Sequence, residues 1–217
     1  MTRIGILGGT LDPIHCGHVA AAAAARDAFD LPRVLVMPSH VPPHRAVQPV
    51  ASPYHRFAMA ALAVSGLPRV EACDDELRSE GPSYTADTLD RLHARGHKAS
   101  DVFFVTGADA FAEIATWKRY PAVLDLAHFV VVSRPGYDLE ALAERLPDLR
   151  ARMRPAGSPA RTDGATLIFL LQAATPDVSS TAVRERLRRG EPLAGLVPPL
   201  VDSHIRQHHL YDRHGQD

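Results

Sequence analysis

Arg3 to Ala25 reads R-I-G-I-L-G-G-T-L-D-P-I-H-C-G-H-V-A-A-A-A-A-A. Its apolar residues Ile4, Ile6 and Leu7 predict a short buried strand, and Gly8-Gly9-Thr10 breaks it. An alanine-rich run follows, from Gly17-His18 to Phe29, with strong helix propensity. The order is strand, glycine turn, histidine pair, helix. In an α/β protein this order brings backbone N–H groups and a helix N-terminus up to a phosphate.

The turn is not a Walker loop, because no Gly-Lys-Ser/Thr follows the glycines. It also lacks the spaced glycines of a dinucleotide fingerprint. His15 and His18 lie three apart at the first turn of the helix and can share a face. The helix end favours an anion, and Gly17 leaves room for a ligand to come close. A lone His-x-x-His more often caps and packs. A metal pair would need a third ligand, and none accompanies these two at a familiar spacing. The glycine turn in front tips the reading towards phosphate.

Outward from this stretch, the bulk properties set bounds. The 217 residues fit one domain, 1–217, and a 46% hydrophobic content allows a substantial core. A net charge of −1 offers no general surface for nucleic acid or membrane, so neither is expected as a partner. No secretory apolar core opens the sequence, and no apolar run approaches membrane length. Cys16 and Cys73 make no disulfide framework, and thiols in a reducing cytoplasm are expected.

Further strands are predicted at 33–38, 69–73, 101–106, 128–133 and 166–172. Helices are predicted at 53–65, from Ser83, at 140–150, from Ser179, and at 198–210. In the 53–65 helix, Phe57, Ala60, Ala61 and Val64 share one stripe. The alternation predicts an α/β fold: a Rossmann-like, doubly wound, mainly parallel sheet with helices on both faces and a small helical C-terminal part. Ligands of such sheets sit beyond strand C-termini where the order reverses. The glycine-bearing strand ends after Leu7 and after Thr106 are expected to flank that crevice. Asp109, just beyond Gly107, can accept from ribose hydroxyls or cap the next helix.

Four other stretches invite a choice of reading. The proline-rich loop S-H-V-P-P-H-R carries His44 and Arg45. The acidic loop D-D-E-L-R-S-E-G-P reads as solvated surface, and so does the Pro/Gly/Arg-rich segment 153–164. Trp117, flanked by Thr116, Lys118 and Arg119, suits stacking on a flat ring. Ser179, Ser180 and Thr181 open a basic helix and form a second anion-favouring N-terminus, with Gly190 as its stop. His204, His208 and His209 read as surface residues of the last helix.

In chain order, G-G-T-L-D-P-I-H-C-G-H, P-P-H-R, S-Y-T-A-D-T-L, G-A-D, Trp117, S-R-P-G and S-S-T-A-V-R resemble the bacterial nicotinate-nucleotide adenylyltransferases of the nucleotidylyltransferase superfamily. Family members usually have Phe where this chain has Leu11. The resemblance implies ATP contacts from Gly8, Gly9, Thr10, His15 and His18, and from His44 and Arg45 as cations closing over ATP. It adds Gly107 and Asp109 at the adenosine and Arg134 near the adenine, with Ser179, Ser180, Thr181 and Arg184 at the phosphates. Nicotinate mononucleotide would meet Thr10, backbone groups at Tyr84 and Thr85, and the Trp117 ring. Arg56 is implied as a ligand or an ordinary surface arginine. His18, His15 and Arg184 would carry the catalysis, and Mg2+ would travel with ATP without a protein ligand. A homo-oligomer is compatible with this reading. The rivals are a related enzyme using nicotinamide mononucleotide or phosphopantetheine, and a non-catalytic nucleotide-binding module.

Overall fold

The computed structural model describes residues 3–43, 49–133, 139–159 and 164–212. Strand β1 (Ile4–Gly9) runs through Gly8 and Gly9 before turning, and Gly9 is still in register with Pro38. Helix α1 (Cys16–Ala28) follows, then β2 (Val34–Pro38), α2 (Pro53–Val64) and β3 (Val70–Ala72). The second half carries α3 (Thr85–Ala94), β4 (Val102–Gly107), α4 (Ala108–Phe111) and β5 (His128–Val132). Then come α5 (Leu139–Arg145), β6 (Met153–Pro155), β7 (Ile168–Leu171), α6 (Ser180–Arg188) and α7 (Pro199–Gln207).

The strands form one sheet in the order β3-β2-β1-β4-β5-β7-β6, and every pairing is parallel. Central strands of a parallel sheet are covered on both faces, which is why Val102–Val105 and Phe129–Val132 are apolar without alternation and buried throughout. One face packs on α1, α2, α6 and α7, with Phe29, Phe103 and Phe169 clustered beneath them. The other face packs on α3, α4 and α5, around Phe104, Phe111 and Phe129. This is the doubly wound α/β arrangement that the alternation predicts. Among the described residues no helix is long and apolar enough to cross a membrane.

Three elements differ from the sequence expectation. Met153–Pro155, read as exposed loop, is the edge strand β6, in register with Ile168–Leu170. Met153 fills the core while Arg154 and Pro155 carry no apolar period, so three residues gave no strand signal. The helix expected over 140–150 ends at Arg145, because Pro147 cannot continue the hydrogen-bond ladder and opens a 3-10 turn over Pro147–Arg152. In α2 the buried stripe is Arg56, Met59, Ala60, Ala63 and Val64, rotated from the predicted one because it includes a charged residue.

Candidate functional site

The order of the sheet reverses between β1 and β4, where Leu7 is in register with Val105. Beyond the ends of these two strands opens a cleft of about 440 Å³. Gly8, Gly9, Thr10 and His18 form its floor, and Gly107 and Asp109 one rim. Tyr84, Thr85, Ala86, Trp117 and Lys118 form the opposite wall. A smaller hollow of about 50 Å³ adjoins it, lined by His15, Gly17, Ser133 and Pro176 among others. Leu7, His18 and Gly107 line both, so His18 stands on the boundary.

His15 is the N-cap of α1 and is buried, with its ring stacked on that of His18 at 3.7 Å. The His15 backbone N–H donates to His18 Nδ1 over 3.3 Å, and the two histidines form a reciprocal capping box. Capping and ligand roles are therefore compatible here. A neutral imidazole that accepts at Nδ1 carries its proton on Nε2, so His18 is held as an Nε2–H donor. Gly17 keeps this packing free of crowding: a Cβ there would stand 3.1 Å from the His15 ring and 3.4 Å from the Pro176 carbonyl oxygen.

The N-terminus of α3 ends at the far wall. The Tyr84 N–H already donates to the Pro82 carbonyl over 3.2 Å, so the amides left for a ligand are those of Thr85 and Ala86, at the first turn. The resemblance implies backbone groups at Tyr84 and Thr85; of these two amides the Thr85 N–H remains open to a ligand, with that of Ala86 beside it. Trp117 packs edge-on against Phe104 and Phe129 at 6.0 and 6.3 Å and is half-buried in the wall. Lys118 Nζ sits 4.5 Å over the Tyr84 ring and 2.8 Å from Asp87, fixing the rim beside it. Asp109 lies in the first turn of α4 and lines the cleft; the N-cap there is Gly107.

Ser179, Ser180, Thr181 and Arg184 stand outside this lining. Ser179 caps α6 through the Ala182 N–H, and Ser180 donates to the Pro13 carbonyl over 2.9 Å. Arg184 donates to the Asp12 carbonyl over 2.6 Å and to Thr181 Oγ1 over 3.2 Å. The α6 N-terminus is thereby fastened to the loop between β1 and α1. His44, Arg45 and Arg134 lie outside the described residues.

Two readings from sequence are corrected. Arg56 is neither on the surface nor in the cleft lining: it is fully buried and donates to the carbonyls of Ala51, Thr10, Ser39 and His40. The acidic loop is not wholly solvated either, since Glu76 is 7% exposed and lines the cleft. Asp12 is a further residue that sequence reasoning passed over: it accepts from the amides of Val50 and Ala51 and from the Tyr211 hydroxyl. Its place between Leu11 and Pro13 in the glycine-turn motif was the one signal available. His204 is half-buried, facing His55 across the α2–α7 contact at 3.1 Å between ring nitrogens.

Residues 6–186 match the profile of a family described as cytidylyltransferase-like. A protein of Roseiflexus sp. (strain RS-1) named "Probable nicotinate-nucleotide adenylyltransferase" is 41% identical over 210 residues, 96% of this chain and 97% of that one. A Moorella thermoacetica protein of the same name is 37% identical over 209 residues, 96% of this chain and 91% of its own length. Among solved structures, the Plasmodium falciparum nicotinic acid mononucleotide adenylyltransferase complexed with NaAD superposes with a TM-score of 0.74, covering 97% of this chain and 98% of that one. At 16% identity that likeness speaks for the fold.

Proposed function

The chain belongs to the cytidylyltransferase-like family, and from that premise we propose that it transfers the adenylyl group of ATP to nicotinate mononucleotide, giving deamido-NAD and pyrophosphate. The observation that carries the reading within this chain is the single cleft in which a glycine turn and His18 face Trp117 and the α3 amides. Phosphates belong at the first pair and a flat, carboxylate-bearing ring at the second. A carboxylate can accept from both amides of the α3 turn through its two oxygens, whereas a carboxamide has one oxygen and presents an N–H2 in place of the other. This favours the nicotinate over the nicotinamide acceptor.

The chemistry asked of the protein is modest. The acceptor's 5′-phosphate, with a second pKa of about 6, is largely dianionic at neutral pH and needs no general base. One of its oxygens attacks the α-phosphorus of ATP in line; the P–O bond to the β-phosphate breaks and pyrophosphate leaves with the electron pair. The barrier is alignment and the mutual repulsion of two anions, so catalysis is positioning plus electrostatics. His18, through Nε2–H, would donate to the α-phosphate oxygen on which charge builds. His15 orients His18, and the α1 N-terminus adds its partial positive charge. Arg184 fixes the loop carrying Asp12 and Pro13 and would extend to the outer phosphates.

Among the described residues no group of three or more His, Cys, Asp and Glu side chains is placed to hold a metal ion. Mg2+ would arrive on the triphosphate, coordinated by phosphate oxygens and water, and would shield its charge. Pyrophosphate release from ATP and Mg2+ with nicotinate mononucleotide, run beside nicotinamide mononucleotide and phosphopantetheine, tests the proposal. Preference for the nicotinate substrate supports it. Turnover with another acceptor alone would discard the roles of Trp117 and the α3 amides, and ATP binding without release would leave only a nucleotide-binding module.

A further inference from the structure

Resting on that reading, we propose that Glu76 is a positioning residue for the acceptor: its buried carboxylate orients the two hydroxyls that hold the ring-binding turn against the glycine-turn side of the cleft. The Thr88 hydroxyl donates to Glu76 Oε1 over 2.6 Å, and the Ser83 hydroxyl is its second partner. These two residues bracket Tyr84, Thr85 and Ala86, the segment that opens α3 into the cleft.

The connection continues across the cleft. Ser83 Oγ accepts from the His40 N–H over 2.8 Å, and the Ser83 N–H donates to the Val41 carbonyl over 2.8 Å. Val41 and Pro82 form an isolated parallel bridge. Arg56 then joins the His40 and Ser39 carbonyls to that of Thr10. One hydrogen-bonded chain thus runs from the first turn of α3 through Glu76, Ser83, His40 and Arg56 to the glycine turn.

The charge matters because an ionised carboxylate only accepts. The Thr88 hydroxyl proton points at Glu76 over the shorter distance, with the Tyr84 carbonyl 3.3 Å away as its other acceptor, and Ser83 Oγ keeps a lone pair for the His40 N–H. Glutamine offers one oxygen and an N–H2, so a hydroxyl that faced the lost oxygen turns to another acceptor, for Thr88 the Tyr84 carbonyl. Burying a carboxylate is costly, and burial pushes the Glu76 carboxyl above the usual range, offset in part by Thr88, Ser83 and the nearby Arg91 and Arg56. A position serving only to pack would be filled more cheaply by a neutral side chain.

The test is Glu76→Gln in the full chain, with thermal unfolding at pH 8 and steady-state kinetics in which ATP and nicotinate mononucleotide are varied separately. The expected result is a melting temperature unchanged or raised, an unchanged KM for ATP, and a KM for the mononucleotide raised about tenfold, the loss of one hydrogen bond to a charged acceptor. Ser83→Ala should raise the same KM, and the double variant should add little more, because the two act through one contact. A Gln variant with the wild-type KM for the mononucleotide overturns the proposal. So does an equal rise in both KM values with a lowered melting temperature, the signature of mere structural support. A wild-type chain that releases no pyrophosphate with nicotinate mononucleotide overturns the functional reading and this one with it.

Discussion

Tyr211 donates its hydroxyl proton to Asp12 Oδ1 over 2.9 Å, joining the last described turn of the chain to the loop that follows β1. The same carboxylate accepts from the Val50 and Ala51 amides, and the Arg184 guanidinium stands 3.8 Å away. Asp12 is 1% exposed, and its carboxylate holds three remote segments beside the glycine turn. Burial and the Asp12 charge push the Tyr211 phenol far up, so it remains a donor at every working pH. Tyr211→Phe should cost about 1.5–3 kcal/mol, the range for a hydrogen bond to a charged group. Urea unfolding checks this, and an unchanged unfolding free energy would show that the contact contributes nothing.

Arg56 invites a harsher test. Its guanidinium is fully buried and donates to the carbonyls of Ala51, Thr10, Ser39 and His40. Arg56→Met keeps the volume of the stem but removes every donor. Each buried carbonyl left bare costs about 1–3 kcal/mol, so a loss of at least about 3 kcal/mol is expected. Lysine should recover only part of it, since a compact ammonium cannot span the fork of a guanidinium. Comparing thermal unfolding of the two variants decides the matter: Met and Lys melting together with wild type would sink it.

These two hubs show where sequence reading stops. The strands and the crevice were legible because parallel central strands are continuously apolar and because Gly8-Gly9 and Gly107 punctuate two of them at their C-terminal ends. The His15–His18 pair and Trp117 were legible because their chemistry repeats a known string. Asp12, Arg56 and Glu76 were not, because a polar residue inside and one outside look alike until long-range partners such as Tyr211 or Thr88 are in place. Their hydrogen bonds bridge 199, 46 and 12 positions, and no local period records such separations. The edge strand β6 failed for a simpler reason: one buried Met in three residues is not a pattern.

Acid should loosen the packing of α2 on α7. His204 faces His55 across this contact and His208 on its own helix, with ring centroids 5.3 and 4.4 Å away. Its pKa is lowered by burial, then by the charges of His208 and His55. The folded chain therefore binds this proton less readily than the unfolded chain, whose value is near 6.5. Stability is full above that pH and falls as pH drops through it towards the folded value. His128 works in the same sense: its Nδ1 accepts from the Leu167 N–H over 2.9 Å, and burial holds it neutral. Melting temperature measured from pH 8 down to pH 5 should decline below about 6.5. His204→Gln should flatten part of that decline, leaving the portion due to His128. A His204→Gln profile parallel to wild type would refute the assignment.

The sharpest prediction separates the two jobs of His18. As the N3 residue of α1 it accepts from the His15 N–H, and as a cleft residue it presents Nε2–H on the boundary between the two hollows. His18→Ala removes both, so it should lose about 1 kcal/mol of stability for the cap and about 10²–10³ in kcat for the oxyanion donor. Glutamine at N3 is the natural partner in a capping box and reaches back to the N-cap amide. His18→Gln should therefore recover the stability and little of the rate. Gly17→Ala supplies the complementary perturbation: its new Cβ would press the His15 ring from 3.1 Å and tilt the pair that stacks at 3.7 Å. That variant should fold and lose rate with both histidines present. Single-turnover kinetics beside urea unfolding reads the two effects apart, and a Gln variant with near-normal turnover would remove His18 from the chemistry and leave it a cap.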